Sequence, residues 1–125
     1  MTNRKKTVVA VLSDLMFRVK IAEAAKRAGM EAVFVTSQQE ALLEARRKPA
    51  IMILDLNHSA MEPLDTISKL KSDGETNSIK LLGYVSHVQA ELKRAAQAQG
   101  CDMVIARSAF SQNLPTILSR YTGGA

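Results

Sequence analysis

Two residues of opposite charge follow short apolar segments of the chain and could take part in chemistry. Asp55 comes directly after Ile51-Met-Ile-Leu54, and Arg107 comes after Met103-Val-Ile-Ala106. A carboxylate at the end of a buried strand can act as a nucleophile or bind a cation, whereas an arginine can hold a carboxylate or phosphate with two hydrogen bonds. A plainer interpretation of Asp55 is a turn residue that accepts backbone N–H groups. We expect Asp55 and Arg107 to face each other and form an ion pair.

Five apolar segments alternate with five amphipathic segments, which predicts strands that alternate with helices. The predicted strands are 7–12, 31–35, 50–54, 79–85 and 102–106. The predicted helices are 15–28, 38–47, 64–72, 88–99 and a last one that opens at Ser108 or Ser111 and ends near Tyr121. Asp14, Ser37 and Ser86 stand where helix-capping residues are preferred.

Strands this apolar must be covered on both faces, which βαβ crossovers achieve. Right-handed crossovers then predict a doubly wound α/β fold: a five-stranded parallel sheet of flavodoxin-like order 2-1-3-4-5 with helices on both faces. Ligands of such sheets bind at the carboxyl ends of the strands. The residues expected at that edge are Leu12, Ser13, Asp14, Asp55, Val85, Ser86 and Arg107.

Length and composition predict one domain over residues 1–125, with its core between about residues 7 and 121. The chain has 125 residues, of which 46% are hydrophobic and 23% charged, and this is typical of a globular protein. Cys101 is the single cysteine, so a disulfide framework and a multi-cysteine zinc site are excluded. The longest apolar run, Thr7 to Leu12, is too short to span a membrane, and a signal peptide is not expected. We therefore expect a cytoplasmic protein.

The net charge of +5 raises the alternative of a nucleic-acid-binding module. The basic residues are scattered, however, aromatic residues make up 4% of the chain and tryptophan is absent, so stacking platforms for bases are scarce.

An enzyme or cofactor-binding protein of this fold is the other alternative. The segment Ser13-Asp-Leu-Met-Phe-Arg18 lacks the glycines of a phosphate-binding loop, and neither a dinucleotide nor a Walker motif is present. We expect no enzymatic activity.

The chain resembles the receiver domains of bacterial two-component response regulators from Thr7 to Tyr121. The resemblance rests on Ile51-Met-Ile-Leu-Asp-Leu-Asn57, on Gly29 before the second strand and on Gly100-Cys-Asp102 before the fifth. In that family the aspartate after the third strand accepts a phosphoryl group from a sensor histidine kinase. The resemblance therefore implies a signalling role in a phosphorelay, with Asp55 as the phospho-acceptor.

Other positions of the family pattern carry different residues here. The family places a hydroxyl residue about thirty positions after the aspartate and a lysine about fifty-two after it, which gives Val85 and Arg107. In the family this hydroxyl group responds to the phosphoryl group, and the position is called the switch position. Ser86, beside Val85, is the candidate that could substitute for it. The family holds Mg²⁺ partly with two acidic residues after the first strand. Counting back from Gly29 without gaps puts Leu12 and Ser13 at these two positions, and Asp14 follows directly after them.

The resemblance thus implies Mg²⁺ as cofactor, held by Asp55, Asp14 and the carbonyl group of Asn57 with fewer charges than usual. These departures indicate a degenerate receiver, or pseudo-receiver, that acts mainly through protein–protein contact. A phosphorylation-independent scaffold is the alternative. The expected partner is a histidine kinase or another signalling protein, bound at the face of the fourth helix, fifth strand and fifth helix, where Phe110 and Tyr121 are candidates. We expect a monomer or a weak homodimer.

Overall fold

The computed structural model describes residues 6–86 and 89–122, which form an alternating series of strands and helices. The strands are Thr7–Val11 (β1), Glu31–Val35 (β2), Ile51–Asp55 (β3), Lys80–Val85 (β4) and Met103–Ala106 (β5). The helices are Leu15–Arg27 (α1), Gln38–Ala45 (α2), Pro63–Ser72 (α3), Ala90–Gln99 (α4) and Arg107–Thr122 (α5). The strands pair in parallel in the order β2-β1-β3-β4-β5, which confirms the predicted fold.

The sheet is covered on both faces because its central strands are apolar on both sides. Along β1, Val8 and Ala10 pack with side chains of α1 and α5, whereas Val9 and Val11 pack with those of α2, α3 and α4. Residues 8–11 of β1 and 51–54 of β3 are all at most 1% exposed. This two-sided burial is what the continuous apolar runs predict. It fixes which helices border each side of the carboxyl edge.

Two of the predicted helix starts are confirmed by capping hydrogen bonds. The Asp14 carboxylate accepts a hydrogen bond of 3.1 Å from the Phe17 N–H at the start of α1. The Ser37 hydroxyl accepts one of 3.1 Å from the Glu40 N–H, and the Glu40 carboxylate reaches back to the Thr36 N–H, also at 3.1 Å. These bonds satisfy N–H groups that a helix leaves without internal partners.

Two other predicted helix starts are wrong. Helix α4 begins at Ala90 with Gln89 as the residue before it, so Ser86 does not cap it. Helix α5 begins at Arg107, directly after β5, whereas Ser108 or Ser111 was expected. The Ser111 hydroxyl instead accepts a hydrogen bond of 2.8 Å from the Lys20 ammonium group, which links α5 to α1. Residues 87 and 88, the second of which is the first residue of the predicted fourth helix, lie outside the described residues.

The single cysteine belongs to the core. Cys101 is 6% exposed, and burial is the main cause that raises the pKa of its thiol. A free cysteine commonly packs in this way, as a small apolar residue. Within residues 6–86 and 89–122, none of the helices is long and apolar enough to cross a membrane.

Candidate functional site

Asp55 ends β3 at the carboxyl edge of the sheet, as predicted. It is half-buried, and one of its carboxylate oxygens accepts a hydrogen bond of 2.9 Å from the Asn57 N–H. On the neighbouring strand, Tyr84 is its aligned partner. Within the described part of the chain, Asp55 forms no ion pair. Its contacts therefore match the turn interpretation.

The predicted ion pair between Arg107 and Asp55 is wrong, because Arg107 pairs with Asp14. The order of the strands explains the difference. β4 lies between β3 and β5, so Asp55 and Arg107 are separated by a full strand. Asp14 precedes α1, and α1 packs beside α5, whose first residue is Arg107. The partner of Arg107 is thus set by the packing of the two helices.

The Asp14 carboxylate interacts with the N-terminal ends of two helices. One oxygen accepts the Phe17 N–H of α1, and the other contacts the guanidinium group of Arg107 at the start of α5. A helix start carries a partial positive charge, which makes arginine an unfavourable first residue unless an anion is near. Asp14 supplies that anion. Its position in the sequence shows that it caps a helix, but gives no sign that it pairs with Arg107.

Three aromatic rings pack together beneath this ion pair. Tyr84 and Phe110 stack with ring centroids 5.1 Å apart, and Phe17 lies 5.2 Å from Tyr84 and 5.7 Å from Phe110. The Arg107 guanidinium carbon stands 4.3 Å above the centre of the Phe17 ring. Contacts of this kind between cations and rings add about 0.5–1 kcal/mol at exposed sites. The rings therefore support the position of Arg107 from below.

The two aromatic residues proposed for a partner surface are packed against the core. Phe110 is fully buried in the aromatic cluster, so that prediction is wrong for Phe110. Tyr121 is half-buried against the same side of the core. The face formed by α4, β5 and α5, where the partner was expected to bind, does contain a groove of about 420 Å³. Gln89, Lys93, Val104 and Ala109 are among the residues that line it.

The tyrosine of the cluster has an unusual hydroxyl group. Tyr84 is 1% exposed, and within the described residues its hydroxyl has no hydrogen-bond partner. Burial, together with the negative charge of Asp55, raises the pKa of this hydroxyl far above its usual value. The group therefore stays protonated, and an unpaired buried donor destabilises the folded state.

Replacing Tyr84 with phenylalanine should therefore leave the protein as stable as before or raise its free energy of unfolding by about 1 kcal/mol. The ring and its stacking on Phe110 are retained, and only the unpaired hydroxyl is lost. Urea unfolding of both proteins measures the difference. A loss of more than about 1 kcal/mol would mean that the hydroxyl makes a stabilising hydrogen bond.

The stability of the protein should depend on the ionisation of Asp14. The hydrogen bond from the Phe17 N–H is the largest cause that lowers the pKa of this carboxyl group. Burial opposes it, and the charge and hydrogen bond of Arg107 lower the pKa further by smaller amounts. A group with a lowered pKa stabilises the fold above its ordinary pKa, 3.8, and this contribution is lost as the pH falls through the folded-state value. Between pH 6 and pH 2, Asp14→Asn should therefore lose less stability than the wild type. The variant lacks only the contribution that depends on the ionisation of Asp14.

Unfolding midpoints measured across that pH range test the prediction. Glu91→Gln, an exposed carboxyl group in the first turn of α4, is the matched control. An unchanged pH dependence in Asp14→Asn would contradict the assigned role of Asp14.

The β3–α3 and β4–α4 loops are joined by the side chain of Asn57. Its carbonyl oxygen accepts a hydrogen bond of 2.7 Å from the Ser86 N–H, and its amide group donates one of 2.9 Å to Gln89. Val85, at the position where the family has a hydroxyl, is 3% exposed and packs in the core below α3 and α4. Ser86 follows it on the exposed side of the edge.

The residues proposed for Mg²⁺ make other contacts in this structure. Asp14 is paired with Arg107, and the backbone carbonyl group of Asn57 accepts a hydrogen bond of 3.1 Å from the Ser59 N–H. Leu12 stands at one of the two positions where the family has an acidic residue, and here it is fully buried in the core. Among the described residues, no three histidine, cysteine or acidic side chains come together as a metal site. Mg²⁺ prefers six oxygen ligands in octahedral geometry. Of the two carboxylates proposed for it, that of Asp55 forms no ion pair among the described residues, whereas that of Asp14 is paired with Arg107.

No family model matches the sequence, and no curated protein matches it. Solved structures do match the fold. A response regulator from Hahella chejuensis has a TM-score of 0.86 at 18% identity, over 96% of this chain and 97% of that one. A chemotaxis response regulator from Vibrio cholerae has a TM-score of 0.81 at 19% identity, over 94% and 99%. The receiver domain of a Pseudomonas aeruginosa sensor histidine kinase, solved with magnesium in its active-site cleft, has 0.80 at 12% identity, over 97% and 100%. The protein therefore has the fold of the receiver domains of response regulators.

Proposed function

We propose that the protein is a signalling module of the receiver type in which the ion pair between Asp14 and Arg107 takes the place of a metal-dependent phosphorylation site. The single observation that carries the proposal is the guanidinium group of Arg107 on the Asp14 carboxylate, at the edge where Asp55 lies. The module is not an enzyme. It acts in a two-component phosphorelay by contact with a histidine kinase or another signalling protein.

The electrostatics of the edge support this proposal. Phosphoryl transfer to a carboxylate brings two anions together, and a bound cation normally neutralises them. Here a fixed cation, Arg107, already neutralises Asp14, which is one of the two carboxylates at this edge; the other is Asp55. Arg107 is held by Asp14 and by the Phe17 ring, so it is tied to α1. An edge arranged in this way keeps one conformation without a metal ion or a phosphoryl group.

We further propose that residues 1–125 act as one domain in the cytoplasm, as a monomer or weak homodimer. The sheet and its five helices use residues 7–122 and share two core clusters, one on each face of the sheet. Val85 and Ser86 do not provide a buried hydroxyl that could respond to a phosphoryl group, since Val85 is apolar and Ser86 is exposed. These residues support a module whose surface does not switch.

A second candidate function is acceptance of a phosphoryl group at Asp55. The observation in its favour is that Asp55 forms no ion pair within residues 6–86 and 89–122 and ends β3 where the family has its phospho-acceptor. In this function a carboxylate oxygen of Asp55 attacks the donor phosphorus. The P–N bond of a phosphohistidine, or the P–O bond of acetyl phosphate, breaks, and imidazole or acetate leaves. The phosphoryl group remains on Asp55 as an acyl phosphate.

Intact-mass spectrometry separates the two functions. The protein is incubated with acetyl phosphate and Mg²⁺, with Asp55→Asn as the control. If the main proposal holds, neither the wild type nor Asp55→Asn gains the mass of a phosphoryl group. A phosphoryl adduct that forms on the wild type and is absent from Asp55→Asn would overturn it in favour of the second function.

A further inference from the structure

The two ends of the parallel sheet differ in charge. All five strands start at one edge, the amino edge, and each helix leads the chain back to it. The amino end of the molecule is defined as Lys6, the last four residues of each helix and the segments from there to the first residue of the next strand. Within the described residues it contains ten basic and five acidic side chains, whereas the rest contains five basic and seven acidic ones. The amino end is therefore strongly positive, and the remainder is slightly negative.

Six of the ten basic side chains at the amino end are free to bind a ligand. The other four are held in ion pairs, such as Arg46 with Asp73 at 3.3 Å and Lys71 with Asp102 at 3.1 Å. The six, called the amino-end cations, are exposed and form no ion pair within residues 6–86 and 89–122. They are Lys6, Lys26, Arg27, Arg47, Lys80 and Arg120.

Stabilisation of the helices accounts for only part of this charge. Four of the amino-end cations lie in or just after the last turn of a helix, where a positive charge interacts favourably with the helix dipole. Lys6 and Lys80 lie at the starts of β1 and β4 instead. Their charges stabilise no helix end, so a ligand is the better explanation for them.

The amino-end cations are spread over the whole edge. The ends of α1 and α5 carry three of them on one face of the sheet, and Arg47 follows α2 on the other face. Lys6 and Lys80 stand between these faces, on strands that have β3 between them and are therefore about 10 Å apart. The edge of five strands is about 19 Å wide, and a nucleic-acid duplex carries one negative charge per about 1.7 Å of its axis. Several phosphates can thus contact the amino end at once.

The amino end has little of the apolar surface that a protein helix or a membrane contacts. Of the four large exposed hydrophobic residues in the described chain, three lie in the first half of α1, towards the carboxyl edge, and only Leu43 of α2 lies at the amino end. Docking sites for amphipathic helices and surfaces that bind membranes combine charge with an apolar face. The described aromatic rings are buried or half-buried, so the bases of a single strand have no exposed ring to stack on. Contacts to the phosphates of a duplex need neither feature.

We propose that the amino-end cations bind the phosphate backbone of double-stranded nucleic acid, without recognition of its base sequence. Lysine and arginine side chains neutralise phosphates and release the counterions that are condensed around a duplex. The basic residues that are scattered along the sequence are gathered at this end by the fold, because the helices end where the strands begin. This activity goes beyond the proposed function and does not depend on it, since Asp55 and Arg107 lie at the opposite edge.

The test measures binding of the full chain to a fluorescently labelled DNA duplex of about 20 base pairs by anisotropy. The expected Kd is about 1–100 µM in about 0.1 M salt. The logarithm of the association constant should fall with the logarithm of the salt concentration with a slope of about −3 to −5. A second duplex of different sequence should bind equally well.

Paired variants locate the binding surface. Arg47→Ala combined with Lys80→Ala should weaken binding about tenfold and make the salt slope shallower by about two, since each lost phosphate contact removes about one. The matched control, Lys93→Ala combined with Arg94→Ala, also removes two exposed positive charges, but from α4 outside the amino end. It should weaken binding less than about threefold, because charges far from the contact are screened by salt. Leu43→Ser should leave binding unchanged.

Several results would overturn the inference. They are the absence of binding at about 0.1 mM protein in about 0.05 M salt, a salt slope shallower than about −2, and equal weakening by the two double variants. Tighter binding to vesicles that contain phosphatidylglycerol, lost in Leu43→Ser, would assign the amino end to a membrane. Binding of polyglutamate as tight as that of the duplex would assign it to an acidic protein. Phosphorylation of Asp55 would overturn the proposed function and leave the duplex result unchanged.

Discussion

Replacing Phe110 with alanine is expected to lower the free energy of unfolding by about 3–5 kcal/mol. Phe110 is fully buried and stacks on Tyr84, while its ring also contacts Phe17. Its removal leaves a cavity that two aromatic neighbours and the sheet cannot easily fill. Because a domain is stable by only about 5–15 kcal/mol, this loss is a large share of the total.

Urea unfolding of wild type and variant measures this loss. Tyr121→Ala is the matched control, since Tyr121 lies on the same helix but is only half-buried, and we expect a smaller loss. A loss below about 1 kcal/mol in Phe110→Ala would contradict the structure, because it is the result expected of a surface residue available to a partner.

Replacing Arg107 with alanine should have the second large effect, at the site itself. The variant loses a partly exposed ion pair and the contact of the guanidinium group with the Phe17 ring, which together are worth about 1–2 kcal/mol of stability. It also leaves the edge with two uncompensated carboxylates, Asp14 and Asp55. The hydrogen bond from the Phe17 N–H still lowers the pKa of Asp14 in the variant, but the contribution of Arg107 is gone, so that pKa should rise.

Carboxyl carbon chemical shifts followed by NMR as a function of pH report the pKa of Asp14 directly. Arg94→Ala removes an exposed arginine from α4 and should leave that pKa and the stability unchanged. A pKa of Asp14 that is equal in Arg107→Ala and wild type would show that the ion pair does not form in solution.

The fold could be predicted from the sequence because the relevant signals are local. Runs such as Ile51-Met-Ile-Leu54 are buried on both faces and are bounded by residues that start or end helices, so the order of elements can be read along the chain. The start of α5 could not be found in this way. Its first residue, Arg107, follows β5 without a capping residue, and its charge is balanced by Asp14 from a distant part of the chain.

The composition of the site was predicted better than its contacts. The sequence placed Asp14, Asp55 and Arg107 at the same edge, but it does not give the lateral distances between strand ends. β4 and its Tyr84 side chain come between Asp55 and the end of β5, and the packing of α1 on α5 brings Asp14 to Arg107 instead. The burial of Phe110 could not be predicted for a related reason, since an apolar residue in the first turn of a helix can face either the core or a partner.

A Mg²⁺ titration followed through the carboxyl carbons of Asp14 and Asp55 tests most directly whether Arg107 takes the place of a metal ion at the edge, as we propose. In the wild type we predict no saturable shift of either signal up to about 20 mM Mg²⁺. In Arg107→Ala we predict a saturable shift of both, because the two carboxylates are then free to share a cation. A saturable shift of either signal in the wild type below about 20 mM Mg²⁺ would contradict this prediction.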